Sequence, residues 1–325
     1  MRCDEAVQPI MTHQEAVRLI EAAAGPADLF HGDAARTYRR LAKLTHPDAG
    51  AEDGRTDRAF ARLATLWQQH RGGSRPRIAA GDIASLYQVT DGVLKLPRDP
   101  ADNDLMDAER SALTRLRVGG EARLGAYFPR LIAAERHRDP ATGDLRHAVI
   151  LDSLDGFVTL ADVRRAYPDG LDPRDATWIW RRLLVALGAA HRAGVLHGAV
   201  LPPHVMIHPA EHGLVLVDWC YSVSRPGGPI PAILERYRDW YPPEVLTKGA
   251  PATGTDIYLA TRCMTDLMAG SAPRQLTAFA NGCAQPRCSR RPQDAWRLLG
   301  ELDELLARLY GPRKFRPFAM PDRAS

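Results

Sequence analysis

The stretch HGAVLPPHVMI, residues 197–207, lies between two apolar segments. The segment before it, DATWIWRRLLVALGAAHRAGVL (175–196), is predicted to form a long buried helix, with Asp175 as its N-cap and Gly194 in the left-handed position that ends it. The apolar run GLVLVDW (213–219) follows and leads to an aspartate. The fold prediction depends on this order of a long helix, a loop with two histidines, and an apolar run.

The composition is that of an ordinary globular protein. The chain has 325 residues, of which 45% are hydrophobic and 25% charged, and this length fits two or three domains. The net charge of +4 is mild and the basic residues are dispersed, so nucleic acid is not expected as a partner.

The sequence also favours a cytoplasmic location. No apolar run approaches the roughly 18–20 residues that a membrane helix needs, so no membrane association is expected. The stretch MRCDEAVQPI carries Asp4 and Glu5 where a signal peptide would be basic and then apolar. The five cysteines lack the spacing of a zinc site and are expected to be free reduced thiols.

Three helical patterns occupy the N-terminal part of the chain. THQEAVRLIEAAA has Thr12 and Glu15 at the spacing of a capping box, and GDAARTYRRLAKL has Asp33 as its predicted N-cap. TDRAFARLATLWQQH is the third pattern, and it is expected to pack antiparallel to the second. The faces that are expected to meet carry Tyr38, Leu41, Phe60 and Trp67.

The segment THPDAG connects the second and third helical patterns. Pro47 disfavours helical geometry for His46, and Asp48 and Gly50 favour a turn. His46 and Asp48 are therefore expected on a tight exposed loop. A basic stripe precedes this loop on the second helix, where Arg36, Arg40 and Lys43 recur at i, i+4 and i+7.

This segment resembles a J domain, the module of DnaJ-type co-chaperones, in its basic second helix, its His-Pro-Asp loop and its aromatic third helix. The first helix departs from the family pattern because it lacks the Tyr-x-x-Leu opening in register. The resemblance implies docking on a DnaK-type chaperone and stimulation of its ATP hydrolysis. It assigns steering towards an acidic chaperone surface to Arg36, Arg39, Arg40 and Lys43, and triggering to His46, Pro47 and Asp48.

A series of short motifs with charged residues follows the linker-like stretch RGGSRPR (71–77). AAGDIASLY contains Gly81, and GVLKLPR reads as a strand that carries Lys95. DLMDAERSALTRL reads as a helix that carries Glu109. Further along the chain, YPPE contains Glu244, GTDIYLAT contains Asp256, and SRRPQDA contains Arg291.

Taken in order, these motifs resemble a protein-kinase fold from about residue 78 to about residue 310. Gly81 corresponds to the glycine-rich loop, whose two other glycine places are taken here by Ala79 and Ala84. The resemblance implies a Lys95–Glu109 ion pair beside the phosphates of ATP, with magnesium bound by Asp218. It also implies a structural ion pair between Glu244 and Arg291.

The loop that opens with His197 departs from the family at the positions that serve catalysis. The family has His-Arg-Asp and then an Asn, whereas this chain has Ala199 in place of the aspartate and His204 in place of the Asn. Alanine cannot accept a proton, and general-base groups typically contribute about 10²–10⁴ in rate. A histidine nitrogen is a poorer magnesium ligand than an amide oxygen. His197 is expected to pack against Trp219 rather than to act in catalysis.

These assignments predict an α+β chain with a small all-α domain and a bilobal kinase-like domain. The predicted parts are a J-like domain (11–72), a linker (73–78), a kinase-like N-lobe (79–152), a C-lobe (153–310) and a Pro-rich tail (311–325).

The leading hypothesis for the function is a co-chaperone adaptor that carries a pseudokinase module. This module is expected to bind a client, a partner, or ATP with Mg. Efficient catalysis by it is not expected. One alternative is an unorthodox active protein kinase or nucleotidyl transferase that uses Lys95 and Asp218. Another is a purely structural module of a larger assembly.

Overall fold

The computed structural model describes residues 11–31, 33–46, 54–71, 77–90, 92–139, 142–224 and 228–321. The chain divides between positions 76 and 77 into two compact units. Pro47 and Asp48 of the predicted chaperone-contact loop lie outside the described residues, as do positions 72–76 and 322–325. Within the described residues, no helix is long and apolar enough to cross a membrane.

The first unit contains the helices α1 (His13–Ala22), α2 (Ala34–Thr45) and α3 (Gly54–Arg71). The predicted capping box is present, since the Glu15 amide donates to Thr12 Oγ1 at 3.3 Å and the Thr12 amide donates to Glu15 Oε2 at 2.7 Å. The Asp33 carboxylate caps α2 by accepting from the Arg36 amide at 3.0 Å. Helix α2 ends at Thr45, directly before His46, as the following proline predicts.

The core of the first unit joins the three helices. Ile20, Leu41 and Leu63 are almost completely buried. The rings of Tyr38 and Trp67 stack with their centroids 4.6 Å apart, so α2 and α3 meet through faces that the sequence predicts. Another face of α2 carries four exposed basic side chains, those of Arg36, Arg39, Arg40 and Lys43.

The second unit begins with a five-stranded antiparallel sheet of order β1-β2-β3-β5-β4. Its strands are β1 (Arg77–Ala80), β2 (Ala84–Val89), β3 (Gly92–Pro97), β4 (Leu131–Arg138) and β5 (Leu145–Leu151). Helix α4 (Asn103–Gly119) connects β3 to the later strands and contributes Leu113 and Leu116 to the core. Strand β3 is central, so Lys95 lies between Leu86 of β2 and Val149 of β5.

The rest of the second unit is mostly helical. It contains the helices α5 (Leu160–Ala166), α6 (Pro173–Arg192), α7 (Pro243–Leu246), α8 (Thr253–Met268), α9 (Arg274–Cys283) and α10 (Ala295–Tyr310), and the strands β6 (Val158–Thr159), β7 (Val205–His208) and β8 (Gly213–Leu216). Trp180, Leu183 and Leu187 of α6 are fully buried, so this helix forms the centre of the core, as predicted. The four described cysteines are free thiols.

The start of α6 differs from the sequence prediction. The N-cap is Asp172 rather than Asp175, because the Asp172 carboxylate accepts from the Arg174 amide at 2.8 Å and Pro173 occupies the first helical position. Asp175 lies within the first turn and pairs with Arg316 at 2.9 Å. The end of the helix agrees with the prediction, since Gly194 has a φ of +72°.

A three-stranded sheet of order β6-β7-β8 brings two candidate site residues together. His204 directly precedes β7, and Asp218 follows shortly after β8. Val205 pairs with Leu216, and the Val217 amide donates to the carbonyl of His204 at 2.9 Å. The hairpin therefore places residues that are distant in sequence at the same end of the sheet.

The ion pair that the resemblance implies between Glu244 and Arg291 is present in the structure. The Arg291 guanidinium lies 2.6 Å from Glu244 Oε1 and 3.0 Å from Glu244 Oε2, and its side chain is fully buried. It also donates to the backbone carbonyls of Gln285, Pro286 and Gly254. Arg291 therefore joins α7, α8 and the segment before α10.

We expect the substitution Arg291→Met to lower the free energy of unfolding by about 3–5 kcal/mol, because it leaves the Glu244 carboxylate without its buried partner. Urea denaturation followed by circular dichroism measures this loss. The matched control is Arg297→Met, since Arg297 is 82% exposed and its pair with Glu301 is worth at most about 1 kcal/mol. Equal stabilities of the two variants would contradict this role of Arg291.

Candidate functional site

Lys95 is held between two carboxylates from different parts of the second unit. Its Nζ lies 2.7 Å from Glu109 Oε2 on α4 and forms a short ion pair with Asp218 Oδ1. The side chains of Lys95 and Glu109 are 4% and 0% exposed, whereas that of Asp218 is 32% exposed. The three predicted phosphate-site residues thus form one cluster, in which Asp218 reaches solvent.

The three charges influence each other strongly because Lys95 and Glu109 are buried and Asp218 is partly buried. Burial favours neutral Lys95, but the carboxylates of Asp218 and Glu109 outweigh this effect and hold the pKa of Lys95 well above its usual value. Burial would raise the pKa of Asp218, but Lys95 and His204 lower it below the usual value. Burial raises the pKa of Glu109 more than Lys95 lowers it. Lys95 and Asp218 are therefore charged at neutral pH.

His197 has the packing role that the sequence predicts. Its ring lies edge-on to Trp219 with the centroids 4.6 Å apart, and it is fully buried. The Ala199 amide donates to His197 Nδ1 at 3.2 Å, so Nε2 carries the proton that is shared with the carbonyl of Val217 at 2.8 Å. Burial is the main cause that lowers the pKa of His197 to about 4.

The backbone at His197 is fixed by the first turn of α8. Asp256 accepts from the amides of His197 at 2.9 Å and Gly198 at 2.8 Å, and His191 Nε2 lies 2.9 Å from the same carboxylate. Gly198 has a φ of +77°, and a Cβ there would lie 2.6 Å from the carbonyl oxygen of Tyr221. Only glycine fits this position, where the family has an arginine.

Ala199 and His204 replace the two polar groups of the family loop. Ala199 is fully buried, and its carbonyl oxygen lies 2.8 Å from His204 Nδ1. His204 Nε2 lies 3.5 Å from Asp218 Oδ2, and the His204 ring stacks on Tyr221 at 5.5 Å. The loop is therefore hydrogen-bonded and packed around its substituted residues, without a carboxylate at position 199.

The turn between β1 and β2 contains Gly81, the predicted remnant of the glycine-rich loop. The Gly81 amide donates to the carbonyl of Ala84 at 2.8 Å, which closes a tight turn. Asp82 forms an ion pair with Arg236 at 3.4 Å, and Ile83 packs against the main core. This contact joins the turn to the segment before α7, and the sequence alone gives no signal for it.

Asp218 and His204 are the described residues that could hold a metal ion next to Lys95. Asp218 Oδ2 is an oxygen ligand suited to a hard cation, whereas His204 Nε2 is a nitrogen ligand that suits magnesium poorly. Among the described residues, no group of three His, Cys, Asp or Glu side chains forms a metal site. The donor set thus fits magnesium at Asp218 and does not fit it at His204.

Comparison with known proteins supports a kinase-like domain. A stretch of 58 residues is 41% identical to casein kinase II subunit alpha' of Saccharomyces cerevisiae, and it covers 18% of this chain and 17% of the yeast protein. The match thus spans less than a fifth of either protein. No protein-family model matches the chain. The similarity and the antiparallel sheet followed by a mostly helical region indicate a distant kinase-like fold.

The buried neutral His197 predicts a loss of stability in acid. The unfolded chain binds a proton on this histidine below about pH 6.5, whereas the folded chain does so only near pH 4. The stability that neutral His197 contributes to the folded state is therefore present above pH 6.5 and is lost as the pH falls to 4. We expect about 2 kcal/mol of this loss between pH 7 and pH 5.

Urea denaturation of the wild type and His197→Gln at both pH values measures this contribution. The variant should lose less stability between pH 7 and pH 5 than the wild type, by about 2 kcal/mol. The control His137→Gln changes an exposed histidine on β4 and should keep the dependence of the wild type. The same pH dependence in His197→Gln and the wild type would show that His197 is not the source.

Proposed function

We propose that the second unit is a kinase-like module that binds a nucleoside triphosphate and transfers its phosphoryl group poorly or not at all. The observation that carries this proposal is the contrast between two groups of residues in the second unit. Lys95 is held in place by Glu109 and Asp218, whereas Ala199 presents a buried methyl group where the family has its base. The binding groups are present and the proton acceptor is missing.

The charges around Lys95 suit a nucleotide with its metal ion. Lys95 is a cation at the position where the resemblance places the phosphates, and the anionic side chain of Asp218 is 32% exposed. Magnesium, when bound with ATP, would neutralise phosphate charge. Asp82 and Arg236 lie at the turn that corresponds to the glycine-rich loop, so a nucleotide must displace or accommodate this ion pair.

A thermal shift assay with ATP and magnesium tests nucleotide binding. We expect a rise in melting temperature for the wild type, because a ligand that binds only the folded state adds about 2.7 kcal/mol at a hundredfold excess over Kd. We expect no rise for Lys95→Met. The matched control Lys314→Met removes an exposed lysine of the tail and should respond like the wild type.

The comparison uses the shift of each variant relative to the same variant without nucleotide. This matters because Lys95→Met also leaves the carboxylates of Glu109 and Asp218 without their cation and lowers the starting melting temperature. A wild-type protein that shows no shift at millimolar ATP, with or without magnesium, would exclude the proposal.

An active kinase or nucleotidyl transferase is the second candidate, and the assembled Lys95–Glu109–Asp218 cluster favours it. Incubation with ATP labelled in either the α or the γ phosphate separates the two chemistries. Label on protein from the γ position indicates phosphoryl transfer, and label from the α position indicates nucleotidyl transfer. The proposal of poor transfer predicts no label on the protein from either position. Label on the wild type that is absent from Asp218→Ala would instead support the active enzyme.

We also propose that the first unit recruits a DnaK-type chaperone, as a J domain does. Three observations support the proposal: the packing of α2 on α3 through Tyr38 and Trp67, the exposed basic face of α2, and His46 at the exposed end of that helix. A basic face steers docking on an acidic partner and makes the association sensitive to salt. The kinase-like unit would then select the client or partner.

A chaperone ATPase assay tests the first unit. We expect His46→Gln to abolish the stimulation of a cognate DnaK-type chaperone, and Arg36→Glu to weaken it most at low salt, since it reverses a charge on the docking face. The matched control is Arg58→Glu, which reverses an exposed charge on α3. Full stimulation by His46→Gln, with circular dichroism unchanged, would exclude this role.

A further inference from the structure

The helical part of the second unit contains a cavity of about 410 Å³, which lies within the usual size range of ligand pockets. The first half of α6, the end of α10 and the segment that follows α10 form its walls. The ion pair between Arg181 and Asp303 joins the two helices at this cavity. Among the described residues that line it, none belongs to the cluster around Lys95, so the cavity is a second candidate site.

The segment after α10 is held in place at both of its ends. Gly311 directly follows α10 with a φ of +77°, a conformation that favours glycine and ends the helix. Further along, the buried ring of Phe318 lies 5.9 Å from the ring of Trp178 on α6. The Tyr167 hydroxyl donates to the carbonyl of Ala319 at 2.6 Å. The stretch between these two anchors therefore forms a defined wall of the cavity.

Aromatic and aliphatic side chains line part of the cavity. They belong to Trp178, Leu306, Tyr310 and Pro312. Trp178 is only 8% exposed, whereas Tyr310 is 38% exposed, and Phe315 in the segment after α10 is 70% exposed. Exposed apolar surface that is surrounded by polar side chains is a feature of protein interaction sites.

The cavity also contains arginine donors that no described residue uses. Arg174 donates from Nε and Nη2 to Asp172, and Arg316 donates from Nε and Nη2 to Asp175. The Nη1 groups of both arginines have no hydrogen-bond partner among the described residues. Arg313 is exposed and forms no ion pair with any described residue. These N–H groups can therefore donate to the oxygens of an anionic ligand.

We propose that this cavity binds an acidic peptide segment of a partner protein. An apolar side chain of the peptide would lie against Trp178 and Tyr310, and neighbouring carboxylates would accept hydrogen bonds from Arg174, Arg313 and Arg316. Arginine suits this role because its planar guanidinium can bind a carboxylate through two parallel hydrogen bonds. Aromatic residues and arginines are also the residues that contribute most to the affinity of protein interfaces.

The charge of the cavity favours a short acidic peptide over a nucleic acid. Three of the four arginines that line it already pair with aspartates, so only a modest net positive charge remains. Affinity for nucleic acid depends on the neutralisation of many phosphates, whereas a peptide combines a few charged contacts with apolar contact. Binding of the peptide requires neither a nucleotide nor the first unit, so this site goes beyond the functions proposed above.

Selection from a random peptide library on the full chain, without nucleotide, tests the proposal although the partner is not identified. We expect the selected peptides to be enriched in Asp and Glu next to an aromatic or large aliphatic residue. A selection that yields no acidic peptides would overturn the proposal.

Fluorescence anisotropy of a labelled acidic peptide from this selection locates its binding site. We expect Arg313→Glu to weaken binding about tenfold or more, because it replaces a cation with a charge that repels the peptide. Tyr310→Ala should weaken binding about threefold or more, since it removes an aromatic wall. The matched control Arg287→Glu changes an exposed arginine of the same unit that does not line the cavity, and it should bind like the wild type.

Circular dichroism confirms that each variant is folded. Acidic peptides that bind Arg313→Glu and the wild type equally would overturn the proposal. Binding that is lost in Arg36→Glu and kept in Arg313→Glu would place the interaction on α2 and would also overturn it. Single-stranded DNA and phosphatidylserine vesicles are titrated in the same way. Binding of either that depends on Arg313, with no acidic peptide bound, would assign the cavity to another anion and overturn the proposal.

The thermal shift with ATP and magnesium separates this site from the proposed nucleotide function. If the wild type binds the peptide through Arg313 and shows no shift with ATP, the peptide site stands and the nucleotide function fails. If ATP raises the melting temperature and no acidic peptide is selected, the nucleotide function stands and the peptide site fails.

Discussion

The site depends on one buried cation between two carboxylates. Lys95 comes from the middle of the sheet, Glu109 from α4, and Asp218 from the segment after β8, so their contact joins three separate parts of the second unit. Removing one member of such a buried group leaves an unpaired charge, which typically costs about 3–5 kcal/mol. The cluster therefore connects the sheet to the helical part of the second unit and at the same time sets the charge around Lys95.

The loop with the substituted residues is hydrogen-bonded and packed within the second unit. Gly198 permits a backbone conformation close to Tyr221, Ala199 offers its carbonyl to His204, and His197 packs on Trp219. Each of these residues has a packing or hydrogen-bond contact, so the loop has a defined conformation although it lacks the family's catalytic aspartate. A defined loop without a catalytic base is compatible with a binding role. The same loop places His204 Nε2 3.5 Å from Asp218 Oδ2.

Much of the architecture could be predicted from local patterns. The capping box at Thr12, the end of α2 before His46 and the left-handed Gly194 depend on a few neighbouring residues, and the sequence contains those residues. The Lys95–Glu109 and Glu244–Arg291 ion pairs were expected from motif order and are present, whereas their roles in binding stay predictions.

Two kinds of feature could not be predicted from local patterns. One is the choice between two possible helix caps, and the other is contact between segments that are distant in sequence. Asp172 and Asp175 both precede the apolar part of α6, and the proline between them decides which one is the cap. The Asp82–Arg236 pair and the approach of His204 to Asp218 arise only from the packing of distant segments. Pro47 and Asp48, which the J-domain resemblance predicts to be trigger residues, lie outside the described residues, so the role of this loop stays a prediction from sequence.

The central claim is that the second unit binds a nucleoside triphosphate and transfers its phosphoryl group poorly or not at all, and a single-turnover experiment tests it most directly. The protein is mixed in excess with γ-labelled ATP and magnesium or Mn²⁺, and the bound and the cleaved label are followed in the same sample. The account predicts label that is retained on the protein as intact ATP for many minutes. Cleavage or transfer near the roughly 1–100 s⁻¹ of active kinases would contradict it, and so would a protein that retains no ATP.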